Sequence, residues 1–244
     1  NKVPYLGICL GMQLAVIEWA RHLANLPNAT SAEFAGAKSA QSVSLVVDLM
    51  DSQKNIEGLG GTMRLGAYDC DVLKDLGGKP TRAFAAYKST SIQERHRHRF
   101  EVSNHFLPKL EEAGLLVSGR HRQKDGGFLV EMVESPQHPW FLGCQFHPEF
   151  LSQPLNPHPL FQAFVKAAMP EGARGFLESI PALRNRECII CGEGVSVPVR
   201  VNFDDLEDFK RPSSDDPSFI DEWRKSGGEE EMIERTVHRW RAHG

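Results

Sequence analysis

Residues 3–20 read Val3-Pro4-Tyr5-Leu6-Gly7-Ile8-Cys9-Leu10-Gly11-Met12-Gln13-Leu14-Ala15-Val16-Ile17-Glu18-Trp19-Ala20. The apolar run from Val3 to Ile8 meets a glycine turn and reads as a buried strand. Beyond it Leu10, Leu14 and Ile17, and Met12, Val16 and Ala20, recur at helical spacing, so a helix begins within the turn. Gly7-Ile8-Cys9-Leu10-Gly11 therefore has the form G-x-nucleophile-x-G on a strand-to-helix corner. Glycines supply the small neighbours such a corner needs. The helix amides would point at the thiol and are expected to lower its pKa toward the thiolate. The backbone N–H of Leu10 would lie where it could stabilise an oxyanion. The alternative is a buried core cysteine, the commonest fate of a lone thiol, and five residues alone do not decide between the two.

Working outward, the β-branched stretch Ser42–Met50 reads as a strand. Gly58 to Gly66 holds four glycines and signals a loop. Leu107–Ala113 suggests a short helix ending at Gly114, with a strand Leu115–Val117 after it. Phe128–Val133 and Trp140–Phe146 read as a strand pair joined through Ser135-Pro136-Gln137-His138-Pro139. Pro157 and Pro159 introduce a helix, Leu160–Met169, whose Leu160, Phe161, Phe164 and Ala168 share a face. Strands and helices alternate, so residues 1–170 read as one α/β domain.

The remaining residues, 171–244, have a different composition. Positions 203–235 carry 12 acidic against 5 basic residues, and proline, serine and glycine clusters break any periodicity. They read as an acidic, partly disordered extension of unknown role. Within it Cys188-Ile189-Ile190-Cys191-Gly192 resembles half of a zinc knuckle. His238 and His243 are distant candidates for completing it, so Cys188 and Cys191 are weak metal candidates beside the plainer reading of incidental loop cysteines. Val195–Val201 fits a short edge strand, given Pro198, and Glu229–Trp240 a short amphipathic helix.

The 244 residues carry 41% apolar and 25% charged side chains and a net charge of −4, so a large core can be buried and a basic nucleic-acid binder is excluded. No apolar run is long enough to span a membrane. Five cysteines at wide spacing do not form a secreted disulfide framework, which points to the cytoplasm. The opening on an apolar strand without an initiating Met suggests a piece of a longer protein.

A second chemical signal lies far downstream, in Gln145-Phe146-His147-Pro148-Glu149-Phe150. If the chain stays extended there, His147 and Glu149 face the same way. A carboxylate would then orient an imidazole, the base-plus-orienter pair that a cysteine nucleophile uses.

With these motifs in hand, residues 3–169 resemble the glutamine amidotransferase domains of CTP synthases, which are class I (triad) amidotransferases. The resemblance is carried by VPYLGICLGMQLAVIEWARHLANLPNATSAEF from residue 3, LGGTMRLGA from 59, ERHRHRFEVSN from 94, HPWFLGCQFHPEF from 138 and HPLFQAFVKAAM from 158. It implies a flavodoxin-like three-layer α/β sandwich, N-terminally truncated, with an irregular C-terminal appendage. It also implies that Cys9 attacks the side-chain amide of L-glutamine, that His147 moves the protons and that Glu149 orients His147. Leu10, Gly11, Met12 and Gln13 would line the glutamine pocket, with Glu33 receiving the α-ammonium and Arg99 the α-carboxylate. Arg95, His96, Arg97 and His98 would sit by the active site and the domain interface, as pocket and partner contacts. His22, His105, His121 and His158 carry no partner pattern and receive no role.

By the same resemblance the partner is a synthetase domain that makes CTP from UTP. ATP, UTP and Mg²⁺ would bind there, GTP would act as an effector and the parent enzyme would be a homotetramer. No cofactor, nucleic acid or membrane is expected at this domain itself. The glycine loop that supplies a second oxyanion donor in the family has no counterpart in the sequence. Two other readings remain beside this one, a stand-alone amidotransferase or glutaminase with another acceptor and a non-catalytic remnant.

Overall fold

A computed structural model of the chain describes residues 2–35, 43–49, 63–153, 155–169, 175, 179–180, 182–184, 186–192 and 195–207. The chain divides into two compact units, Asn1–Asn202 and Phe203–Gly244, and of the second only residues 203–207 are described. The expected helix Glu229–Trp240, His238, His243 and most of the Gly58–Gly66 loop lie outside the described residues.

In chain order the first unit contains β1 (Tyr5–Ile8), α1 (Leu10–His22), β2 (Ala29–Ser31), β3 (Ser44–Leu49), β4 (Arg64–Val72), β5 (Asp75–Leu76) and β6 (Lys79–Pro80). There follow α2 (Arg82–Tyr87), β7 (Ser91–His98), β8 (Phe100–Val102), α3 (Leu107–Glu112), β9 (Leu116–Arg122), β10 (Phe128–Glu134), β11 (Phe141–Cys144) and α4 (Pro159–Ala168). A hairpin of β12 (Glu187–Gly192) and β13 (Val195–Asn202) closes the unit.

The central sheet has six strands in the order β1-β11-β10-β9-β4-β7. β1 runs parallel to β11, with Ile8 opposite Cys144, and the other neighbours are antiparallel. β2, β3 and β8 form a second, three-stranded sheet. Two apolar cores share the fold. One joins Met12, Val16, Ile17 and Ala20 of α1 and Leu107 and Leu110 of α3 to Val117, Val130 and Val133 of the sheet. The other joins Ala83 of α2 and Leu160 of α4 to Cys70, Met132, Leu142 and Cys144. Alternate residues of a strand face opposite ways, so the helices cover the sheet as two outer layers, an α/β architecture. Gly143 brings α1 close, since a Cβ there would sit 2.7 Å from Met12 Cγ.

The loop expected over Gly58–Gly66 ends earlier than the glycines suggested. Gly66 lies inside β4 opposite His96, with φ at 102°. Arg64, Cys70 and Val72 point inward from this strand, and the long pairing with β7 continues through the positive φ that glycine allows at 66. Of the run Arg95–His98, expected as pocket and partner contacts, His96 and His98 are buried on β7, as is Glu94, while Arg95 and Arg97 are exposed. Cys188 and Cys191 lie on β12 instead of in a glycine turn. Among the described residues no helix is long and apolar enough to cross a membrane.

Candidate active site

Cys9 stands between β1 and α1 with φ 50° and ψ −106°, a conformation that costs a non-glycine residue about 1–3 kcal/mol. Pairing on both sides holds it there. Its amide donates to the Cys144 carbonyl at 2.7 Å, and its carbonyl accepts from the Gln13 amide at 3.1 Å. A Cβ on Gly7 would lie 2.8 Å from the Gly11 carbonyl carbon and 2.9 Å from the Met12 nitrogen, so only glycine fits before the corner. At Gly11 the nearest atom is Tyr5 Oη at 3.9 Å. The steric requirement therefore lies at Gly7, while the Gly11 carbonyl accepts a 2.7 Å bond from the Tyr5 hydroxyl.

The thiol does not rest at a depressed pKa, as the helix amides alone suggested. Burial pushes it up, and the carboxylates of Glu101, Glu149 and Glu33 push the same way, against a lowering bond from the Leu10 amide. Desolvation outweighs the helix terminus at this thiol.

The second half of the site follows β11. Gln145 and His147 are pinned through their backbone amides, to Glu131 O and Arg95 O respectively, at 2.9 Å each. The chain is not extended from His147 to Glu149. Pro148–Phe150 form a 3₁₀ turn, because proline suits the first position of a turn whose amide needs no partner. The two side chains still meet, with His147 Nδ1 2.6 Å from Glu149 Oε1. His147 Nε2 is enclosed and has no hydrogen-bond partner among the described residues. Gln145 bridges the halves, its Nε2 lying 3.7 Å from Cys9 Sγ.

The profile of the class-I glutamine amidotransferases matches residues 1–167. The chain belongs to that family. It is 53% identical over 169 residues to a CTP synthase of Geobacter sulfurreducens, covering 69% of this chain and 29% of the relative. It is also 53% identical over 175 residues to a CTP synthase of Oleidesulfovibrio alaskensis, covering 69% and 30%. Among solved structures, the Trypanosoma brucei CTPS glutaminase domain with bound acivicin superposes with a TM-score of 0.60 at 37% identity, covering 69% of this chain and 61% of that one. The chain thus spans about three-tenths of the length of these curated relatives. It is a class-I amidotransferase domain homologous to the glutaminase domain of CTP synthases.

The other expected pocket residues of this amidotransferase domain are placed as follows. Leu10 is exposed, and its amide faces the Cys9 sulfur. Met12 and Gln13 are buried with their side chains turned inward, Met12 into the core and Gln13 onto Phe100 O at 3.0 Å. Glu33 is exposed after β2. Arg99 is half-buried between β7 and β8, with an enclosed Nε that lacks a partner among the described residues. Among the described residues no side-chain hydrogen bond joins Glu33 or Arg99 to Cys9, His147 or Glu149.

Behind the site lies a buried polar cluster that the sequence reading missed. Arg64 Nη1 donates to Glu131 Oε1 at 2.6 Å and to Glu101 Oε1 at 3.4 Å, and its guanidinium lies 4.2 Å from the Tyr68 ring centre. His96 Nδ1 and His98 Nε2 share a 2.9 Å bond, and His98 Nδ1 lies 3.2 Å from Phe100 O. His158, given no role from sequence, pairs through Nε2 with Glu94 Oε1 at 2.8 Å and caps α4 by accepting from the Leu160 amide at Nδ1. Tyr87 donates to the same Glu94 oxygen at 2.7 Å. Glu94 and His158 thus tie the segment after Glu149 to the strand that also holds the His147 amide. Period-2 alternation along β7 was the one available signal, and polar inward residues concealed it.

The cluster makes stability depend on pH. Burial, reinforced by the Arg64 charge, holds His96 down at about 2 and His98 down at about 3. Burial also holds Glu101 and Glu131 well above the ordinary carboxylate range, despite Arg64. On unfolding, the histidines take up protons below about 6.5 and the carboxylates release theirs above about 4.3. Between those values the effects oppose. Below the lower one only histidine uptake remains, so the unfolding free energy is expected to drop as pH falls toward 3. In His98→Gln that drop should be shallower by about 1.4 kcal/mol per pH unit, read from urea unfolding at two acidic pH values. An equal drop in both proteins would mean His98 is charged in the fold.

Proposed function

We propose that this domain hydrolyses L-glutamine at Cys9 and delivers the ammonia to a synthetase domain that converts UTP to CTP with ATP. The observation that carries the reading is the pairing of His147 Nδ1 with Glu149, which leaves Nε2 enclosed and unpartnered in the half of the site that Gln145 bridges to the Cys9 corner. With Nδ1 occupied, Nε2 is the nitrogen available to take the thiol proton. Cys9 Sγ then adds to the side-chain carbonyl carbon of glutamine, and the Leu10 amide stabilises the oxyanion. His147 returns the proton to the departing nitrogen as the C–N bond breaks, giving ammonia and a thioester. Water, deprotonated by His147, adds to the thioester. Its collapse releases glutamate, and the proton returns to the thiolate.

Substrate recognition needs one anion and one cation for the zwitterionic end of glutamine. The exposed Glu33 carboxylate suits the ammonium, and the unpartnered Arg99 Nε suits the carboxylate. Leu10 and Gly11 would contribute through their backbone, as would Met12 and Gln13, whose side chains are turned inward. A reducing, cytoplasmic setting agrees with the free thiols Cys9, Cys70, Cys144 and Cys188.

The test is ammonia release from L-glutamine by the purified chain and by Cys9→Ala. Release that disappears on substitution supports the reading. Release that survives, or none from a folded, unsubstituted chain, overturns it for this chain.

A further inference from the structure

Gln145 is a side-chain amide with no exposed surface, one residue beyond β11 and two before His147. Both ends of the amide are engaged. Its Nε2 lies 3.7 Å from Cys9 Sγ, and its Oε1 accepts from Gln13 Nε2 at 3.2 Å. Gln13 Nε2 also donates to the Phe100 carbonyl at 3.0 Å. A backbone carbonyl can only accept, which fixes the nitrogen of Gln13 toward it. That nitrogen in turn fixes the oxygen of Gln145, so the N–H group of Gln145 faces the sulfur. Direction is thus passed from a main-chain atom to the nucleophile through two buried amides, and the Glu131 carbonyl holds the Gln145 backbone at 2.9 Å.

We propose that Gln145 is a hydrogen-bond donor to the Cys9 thiolate, aiming the sulfur and stabilising its charged form during turnover. The inference rests on Cys9 being the nucleophile. The need for a donor follows from what surrounds the sulfur. Glu101 on β8, Glu149 in the turn after His147 and Glu33 after β2 each disfavour a negative charge there. The neighbouring Cys144 on β11 is disfavoured as a thiolate by burial first, and Cys9 adds to this. His147 supplies positive charge only after taking the thiol proton. The Leu10 amide is the other neutral donor at the sulfur, and the oxyanion would draw it away once the substrate carbonyl is attacked. A fixed amide N–H that has no competing partner among the described residues serves through that step.

Gln145→Met keeps the side-chain length and removes the donor. The thiolate is measured by iodoacetamide alkylation of Cys9 against pH, followed by mass spectrometry of the Cys9 peptide. The midpoint is expected to rise by about one pH unit, and alkylation at pH 7 to fall about tenfold, the scale of one hydrogen bond to a charged group. Glutaminase kcat should fall more than KM changes. An unchanged midpoint in the folded variant overturns the proposal.

The unsubstituted chain offers a second readout, the Gln145 side-chain ¹⁵N–¹H resonances followed through the same titration. They should move with the Cys9 midpoint and stay fixed in Cys9→Ser; resonances that ignore Cys9 overturn the proposal. Iodoacetamide needs no glutamine turnover. A shifted midpoint without ammonia release would therefore leave the donor standing while the hydrolytic reading falls.

Discussion

Arg64→Met is expected to lower the unfolding free energy by about 3–5 kcal/mol. Arg64, Glu101 and Glu131 are each less than 5% exposed. One guanidinium serves both carboxylates, at 2.6 Å and 3.4 Å. Removing it leaves two acids in a medium that solvates neither, and both must then be protonated to remain inside. The urea midpoint should drop by about 2 M at neutral pH and recover partly in acid, where the carboxylates are neutral in both states. A further change of both acids to glutamine should restore much of the loss, because breaking a buried pair destabilises far more than replacing it whole. Full stability of Arg64→Met at neutral pH would show that the cluster is wetter than its burial indicates.

His147→Ala is expected to reduce glutamine hydrolysis by about 10⁴-fold or more, within the range seen when one member of a nucleophile–base unit is lost. The ring is oriented by Glu149 at Nδ1, and the residue's backbone amide is held by the Arg95 carbonyl. Stability should change little, because the imidazole is partly exposed and the turn Pro148–Phe150 is set by backbone bonds. Thermal unfolding within a few degrees of the parent, together with lost turnover, would separate a chemical role from a packing one. Comparable kcat in the variant would remove His147 from the mechanism.

The strand-to-helix corner at Cys9 was legible because its information is local: an apolar run, glycine, cysteine, glycine and a helical period adjoin in the chain. The pairing of His147 with Glu149 was also legible, though its route was misjudged, since proline turned the backbone where extension was expected. What stayed hidden was the polar interior. Glu94, His96 and His98 form the buried row of β7, yet hydropathy reads them as solvent-facing. Their burial depends on partners at residues 64, 131 and 158, which no short window contains. Gln145 escaped notice for the same reason, because an amide beside a catalytic motif reveals its role only when its two partners are known. Gly66 misled in the opposite way, because its positive φ is accommodated within a strand whose pairing with β7 continues past it.

The corner that presents the thiol is encoded near the beginning of the sequence, but the atoms that hold it arrive much later. Cys9 and its partner Gln145 are separated by 136 positions, and among the described strands the neighbour of β1 in the central sheet is β11. On a ribosome adding about 5–20 residues per second, several seconds pass between synthesis of the cysteine and of the strand that bends it into place. Closing so long a loop is among the slowest contacts a chain can make. The reactive centre is therefore a late product of folding, and a nascent chain carries the cysteine as an ordinary thiol. On the proposed function, hydrolytic competence and completion of the sheet become a single event.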